Sequence, residues 1–440
     1  MNGRIPDRAQ LRAIPLDGGA DPLDVARALS ARSAPAFLHG RWQGGGAVLA
    51  VDPVATLAGT GPAAIAALDV QPDVDSGDAP PGAIGGGYLG SLGYGALAGD
   101  PRSGAQFGFY DHLLRFDGAG WRFEMLWTPD RDQALGAALE RSRRLVAAPP
   151  APVTERAVLR AIVAPDREHH LAAVAAAQEL IGRGGMYQAN ICAQLTAVLD
   201  GAPIDLWRQL VTTLAPRHAA YLPWGAGGAG GGVSVGASPE LFLRRRGAAV
   251  TTSPIKGTRP RSSDPIIDAA SRAELAASTK DRAENVMIVD LMRNDLGRVA
   301  RTGGVEVAEL LRITAGAGVW HLVSRVEARL RDGISDGDLL AATFPPGSVT
   351  GAPKIAAMSA IARLEAQPRR LYTGAVGLVS PTVGLELAVV IRTFEIDQVK
   401  ADGSPVRLGI GGGITEGSDP AAEYDECLVK AAPLLRAAEA

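Results

Sequence analysis

A chain of 440 residues with 47% hydrophobic and 21% charged side chains can build a sizeable globular core, and its length suggests two or three domains or one large intertwined unit. A net charge of −3 offers no basic face for nucleic acid. Two cysteines without paired spacing, Cys192 and Cys427, predict neither a disulfide framework nor a structural zinc site and fit a reducing cytoplasm; the N-terminal stretch lacks an apolar signal core, and the longest apolar run, 371–391, is broken by Gly374, Gly377, Pro381, Gly384 and Glu386, so no membrane span is expected.

Residues 1–145 are rich in Ala, Gly and Pro and carry few reactive side chains. Composition predicts a loop over 71–82, and the glycines alternating with Tyr88, Leu89, Leu92 and Tyr94 predict strands in close backbone approach. A helix is expected over 135–145 and a linker over 147–152 (AAPPAP). Beyond 166 the pattern sharpens: a helix over 168–181, a strand over 186–198, a flexible glycine turn over 225–232 and a helix over 264–277. Ser278 with Asp281 reads as the cap of a long, buried helix over 280–296. Helices follow over 336–343 and 353–365, two strands over 371–392 and one over 406–415. A final helix starts at Asp419–Pro420, and Pro433 bends or ends it.

The stretch 238–261 (SPELFLRRRGAAVTTSPIKGTRPR) organises the chemistry. Strand-like segments around Leu241–Leu243 and 248–250, turning at 244–247, predict a hairpin that brings Glu240 and Lys256 together at one end. An acid and an amine facing one space can protonate a leaving group and attack a carbon. Asp281 with Glu284, and Glu423 with Glu426, are carboxylate pairs three apart on helices. They are either solvated faces or, if they converge, ligands for a hard cation such as Mg²⁺. The glycine turn at 409–413 (GIGGG) offers bare amides to a carboxylate, or is simply a strand end. Arg392, after an apolar strand, is a carboxylate clamp or a structural salt bridge; Lys430 is a helix partner of Glu426 or a second anchor; His321 is a core histidine or part of a site. Gly225–Gly230 matches a dinucleotide pattern only literally, since strand-like sequence follows, and 347–354 has the wrong spacing for a phosphate loop.

Taken together, MYQAN (186–190), ASPELFL (237–243), SPIKGTRPR (253–261), STKDRAENVMIVDLMRNDLGRV (278–299), VWHLVS (319–324), FPPGSVTGAPK (344–354), YTGAVG (372–377), IRT (391–393) and GIGGGITEGSDPAAEYDECLVKA (409–431) resemble the chorismate-utilising enzymes, the anthranilate synthase component I-like family. The resemblance spans 166–438 in order; the first third matches loosely. It implies an α+β fold of two large antiparallel sheets packed near-orthogonally and covered by helices. Residues 1–150 would contribute strands to the shared sheets, and 151–440 would form the catalytic region. Water-adding members carry a lysine where this chain has Gln188, so water activation is not expected. Lys256 in PIKGTRPR, where anthranilate synthases read PIAGTRPR, resembles the aminodeoxychorismate synthase component I branch; anthranilate synthesis, or a non-catalytic chorismate-binding subunit, are the alternatives.

What the resemblance implies for the site is specific. Glu240 is the general acid, Lys256 the nucleophile, and His321 lies close to the chemistry. Glu284 and Glu426 hold Mg²⁺, with Asp281 and Glu423 behind them. Arg392, Tyr372 and the amides of Gly411, Gly412 and Gly413 hold the enolpyruvyl carboxylate of chorismate, while Gly257, Thr258, Thr350 and Lys430 complete the ring pocket. Ammonia comes from a separate glutaminase subunit. The chain departs from the family at Gly185, where Asp is usual, and at Leu387-Ala388, where Phe-Asn is usual. The segments 37–40 and 215–219 lack the serine and tyrosine of a tryptophan effector site, so no tight tryptophan site is expected.

Overall fold

The strand Ala36–Gly40 shows how this sequence makes layers. Ala36 and Leu38 pack into one apolar cluster with Val48, Leu222, Val376 and Ala388, while Phe37 between them joins another with Trp207, Tyr221 and Leu210. A period of two with both faces apolar belongs to a strand covered on each side, here by a second sheet and by helices. The computed structural model of the chain describes residues 2–148, 156–224, 232–316 and 318–439. Within them an 11-stranded and a 13-stranded sheet carry the fold. Pairing is antiparallel except where Arg8–Leu16 runs parallel to Asp73–Asp75. The expected α+β class, two large sheets covered by helices, is the one adopted.

Early and late strands alternate in both sheets. Gly87–Leu92 pairs with Ala375–Ser380, and Ala36–Gly40 pairs with His218–Trp224. The close approach expected around the early glycines is visible at Gly90, where a Cβ would stand 2.1 Å from the Gln106 carbonyl oxygen. The linker at 147–152 and the glycine turn at 225–232 fall mostly on residues outside those described. Among the described residues no helix is long and apolar enough to cross a membrane, and Cys192 and Cys427 are free and buried.

Most predicted elements occur within a few residues of their expected bounds: helices Arg167–Gly182, Pro265–Ala277, Thr279–Gly297 and Asp336–Thr343, and strands Gln188–Asp200 and Ser404–Ile414. Ser278 caps the long helix by accepting from the Asp281 N–H, and its buried face runs through Glu284, Asn285, Ile288 and Met292. Pro433 does not end the last helix, which runs on from Pro420 to Ala437. The hairpin Leu241–Arg246/Ala249–Ser253 turns at Gly247 (φ 57°). Lys256 is not on its second strand. Pro254 interrupts the chain, and Lys256 sits on the next strand, Ile255–Pro260, paired with Val319–Leu330. Because Leu241 pairs with Ser253, Glu240 and Lys256 still leave the hairpin at the same end.

Candidate active site

A cavity of about 770 Å³ opens where that end of the hairpin meets the helix Thr279–Gly297, the glycine strand Ser404–Ile414 and the helix Pro420–Ala437. Glu240, Lys256, Gly257, Thr258, Asp281, Glu284, His321, Tyr372, Arg392, Gly411, Gly413, Glu423, Glu426 and Lys430 all line it. Two expected residues do not. Thr350 is fully buried behind the wall, its hydroxyl donating to the Pro346 and Gly347 carbonyls at 3.2 Å each, so it has no donor left for a ligand. Gly412 faces the last helix, where a Cβ would stand 3.0 Å from Glu423 Oε2. Ser348, Val349 and Asn190 line the cavity instead.

Gly413 marks the centre. A Cβ there would lie 2.3 Å from Gln188 Nε2, 2.9 Å from Glu284 Oε2 and 3.2 Å from Lys256 Nζ. The amine, a buried carboxylate and a buried amide thus converge over a backbone that has no side chain. Gly413→Ala is expected to lower turnover about 100-fold while the melting temperature changes little, because a displacement of roughly 1 Å at reacting groups costs that much; steady-state kinetics beside a thermal melt check this.

Electrostatics separate the two ends of the cavity. At one end Glu240 is 4% exposed, and burial pushes its carboxyl up to about 7 against a hydrogen bond from Ser348, the charge of Lys256, the Ile255 N–H and the charge of Arg392. Arg392 makes no ion pair among the described residues; burial holds it below the usual guanidinium range, with Glu240 opposing. The salt-bridge reading of this arginine is therefore not the one the fold adopts. His321 Nδ1 lies 3.0 Å from Thr258 Oγ1, and burial, then Arg392 and Arg217, lower it to about 3, so it is a neutral imidazole at ordinary pH. The Tyr372 ring covers Gly409, where a Cβ would lie 2.2 Å from its Cγ.

At the other end the four carboxylates gather with basic partners that spacing did not reveal. Lys280 Nζ is 2.6 Å from Glu423 Oε1, Lys430 Nζ is 2.8 Å from Glu426 Oε1, and Arg259 Nη2 is 3.1 Å from Asp281 Oδ2. Lys430 also donates to the Gly411 carbonyl at 2.9 Å. Among the described residues no three acidic, His or Cys groups are gathered so as to hold a metal as they stand. Two observations still fit a hard cation. Glu423 Oε2 is buried without a hydrogen-bond partner, and burial raises Glu284 above the usual carboxylate range, opposed by the charges of Lys256 and Lys280. Lys280 and Arg259 lie within quoted motifs, but their partners are far away in sequence, so spacing gave no signal for them.

A second cavity of similar volume, lined by Gln43, Arg245, Asp336 and Ser380, holds no comparable set of acid, amine and carboxylates.

Residues 64–436 match the family described as chorismate binding enzyme. Anthranilate synthase component 1 of Streptomyces coelicolor is 38% identical over 379 residues, which cover 80% of this chain and 72% of that protein. Aminodeoxychorismate synthase component 1 of Klebsiella aerogenes is 40% identical over 262 residues, covering 60% of this chain and 56% of that protein, so the match spans just over half of its length. The crystal structure of anthranilate synthase component I from Streptococcus pneumoniae superposes with a TM-score of 0.71 at 25% identity, covering 99% of this chain and 94% of that one.

Proposed function

This chain belongs to the chorismate-binding enzymes, and on that premise we propose that it is component I of an aminodeoxychorismate synthase, converting chorismate and ammonia to 4-amino-4-deoxychorismate. The observation that carries this reading is Lys256, whose Nζ faces Gly413, as Glu284 does, in the cavity that also holds the buried Glu240.

Arg392, with no carboxylate ion-paired to it among the described residues, takes the enolpyruvyl carboxylate, with Tyr372 and the Gly411 and Gly413 backbone beside it. Glu240, protonated below about pH 7, gives its proton to the C4 hydroxyl, which leaves as water. The Lys256 amine bonds to C2 as the two ring double bonds shift one place. Ammonia then adds at C4, the double bonds return, and the lysine leaves as a free amine. The surplus proton of the new ammonium returns to Glu240. The enolpyruvyl group stays in place. Neutral His321, fixed by Thr258, is a dipole against the ring and not a charge that would compete with Arg392 for the substrate. A magnesium ion held by Glu284 and Glu426, with Glu423 and Asp281 as outer acceptors, would neutralise the ring carboxylate and draw electron density from the ring.

Anthranilate synthesis is the second reading, favoured by the Streptomyces coelicolor relative, 72% of whose length this chain matches. The two readings part on the product. Enzyme, chorismate, magnesium and a high concentration of ammonium salt, followed by a lyase, are expected to release 4-aminobenzoate, with no glutaminase present and with the activity lost on chelation. Fluorescent 2-aminobenzoate formed without the lyase would select anthranilate synthesis. With glutamine instead of ammonium, activity is expected only after a separate glutaminase subunit is added.

A further inference from the structure

Asn190, Val349 and Tyr372 reach the cavity from three separate stretches of chain, and one side chain ties those stretches together from behind. Arg369 is 6% exposed and does not line the cavity. Its Nη2 donates to the Asn190 carbonyl at 2.5 Å, its Nη1 to the Val349 carbonyl at 2.7 Å, and Nη1 again to Thr373 Oγ1 at 3.3 Å. Glu365 grips the same guanidinium with both oxygens, at 2.9 Å and 2.6 Å, and accepts the Cys192 N–H at 2.9 Å. The Tyr94 ring lies against it, 4.5 Å from the guanidinium carbon.

A buried ion pair by itself says little, since an apolar pair of the same shape stabilises a fold as well or better. The destinations of the donors are what matter here. Ser348, the neighbour of Val349, hydrogen-bonds the Glu240 carboxyl. Thr373, held in left-handed backbone (φ 63°), donates its hydroxyl to the Tyr372 carbonyl at 2.5 Å. A planar fork with five fixed donors suits several carbonyls at set angles; an ammonium does not.

We propose that Arg369, fixed by Glu365, is a positioning residue for the reaction: it sets Ser348 against Glu240 and Tyr372 over the glycine strand. This rests on the reading above only in taking Glu240 as the proton donor, which amination at either carbon requires. The groups facing Glu240 are Ser348, Lys256, the Ile255 N–H and Arg392. Without the Ser348 bond, burial is less opposed and Glu240 keeps its proton to higher pH.

The test is chorismate disappearance under saturating ammonium and magnesium, followed across pH whatever the product. It compares wild type with Arg369→Lys, Glu365→Gln, Ser348→Ala and the Arg369→Lys/Ser348→Ala double variant. Arg369→Lys is expected to lower kcat about 10- to 100-fold, the scale of a misplaced reacting group, with KM nearly unchanged. It is expected to move the basic limb of the pH profile upward as far as Ser348→Ala does, and the double variant no further, because groups acting through one another are not additive. Glu365→Gln, which leaves the guanidinium in place, is expected to move the limb the same way by less, and carries the test if Arg369→Lys does not fold. A limb that stays put while the melting temperature falls, shifts that add in the double variant, or failure of both single variants to fold would each make the pair purely structural and overturn the proposal. Wild-type release of 2-aminobenzoate would refute the product assignment and leave this comparison intact.

Discussion

Lys256→Ala is expected to abolish 4-amination. A nucleophile that forms a covalent intermediate is not replaced by water or a neighbour, and its removal costs at least about 10³-fold in kcat. The cavity keeps its other groups, because among the described residues Lys256 has no ion pair or hydrogen bond that holds an element in place; its Nζ, Glu284 Oε2 and Gln188 Nε2 all face Gly413. Chorismate binding is therefore expected to persist, and with the lysine gone ammonia can reach C2 directly. Product analysis by liquid chromatography checks this. Undiminished 4-amino-4-deoxychorismate from Lys256→Ala would remove the lysine from the reaction, whereas a trace of 2-amino product beside lost 4-amination would fit it.

The second large effect belongs to Glu240. Its carboxyl titrates at about 7, raised mainly by burial, so it is protonated and competent below that pH and loses its proton above it. Wild-type kcat/KM is expected to fall as pH rises through about 7. Glu240→Gln is expected to lower kcat by about 10²- to 10⁴-fold, the usual worth of a positioned acid, and to erase that limb. Stability runs the other way. The folded carboxyl titrates above its unfolded value, so its contribution is present at low pH and is lost as pH rises through about 7. A glutamine cannot ionise, so Glu240→Gln is expected to melt higher than wild type above pH 7 and close to it at pH 5. A variant that keeps the limb would place the proton donor elsewhere.

Most elements could be read from periodicity and caps, because Ser278, Asp419 and Gly247 each act within a few residues, whereas the α+β class with two large sheets came from the family resemblance. Glu240 and Lys256 were legible for the same reason: one hairpin joins them. The roles of Thr350 and Gly412 were not, since a motif does not say which way a side chain turns, and here one hydroxyl turns to its own loop's carbonyls. Lys280 with Glu423, Arg259 with Asp281 and Arg369 with Asn190 were equally hidden. Local patterns do not encode tertiary pairs; the sheets bring them together. Pro433 shows a local rule overridden, as a buried helix face with Cys427, Ala431 and Leu434 carries the helix past it.

The glycine strand Ser404–Ile414 lies between Gln188–Asp200 on one edge and Thr393–Ile396 on the other, so the larger sheet is completed by a strand far downstream of its first neighbour in sequence. On a ribosome, a chain still lacking that segment exposes two unsatisfied strand edges and half a cavity wall. Such edges invite pairing with other chains, and contacts this distant in sequence form slowly. The candidate cavity therefore cannot close until Ser404–Ile414 has been made, and the interval after synthesis of Gln188–Asp200 is when the chain is most open to such pairing.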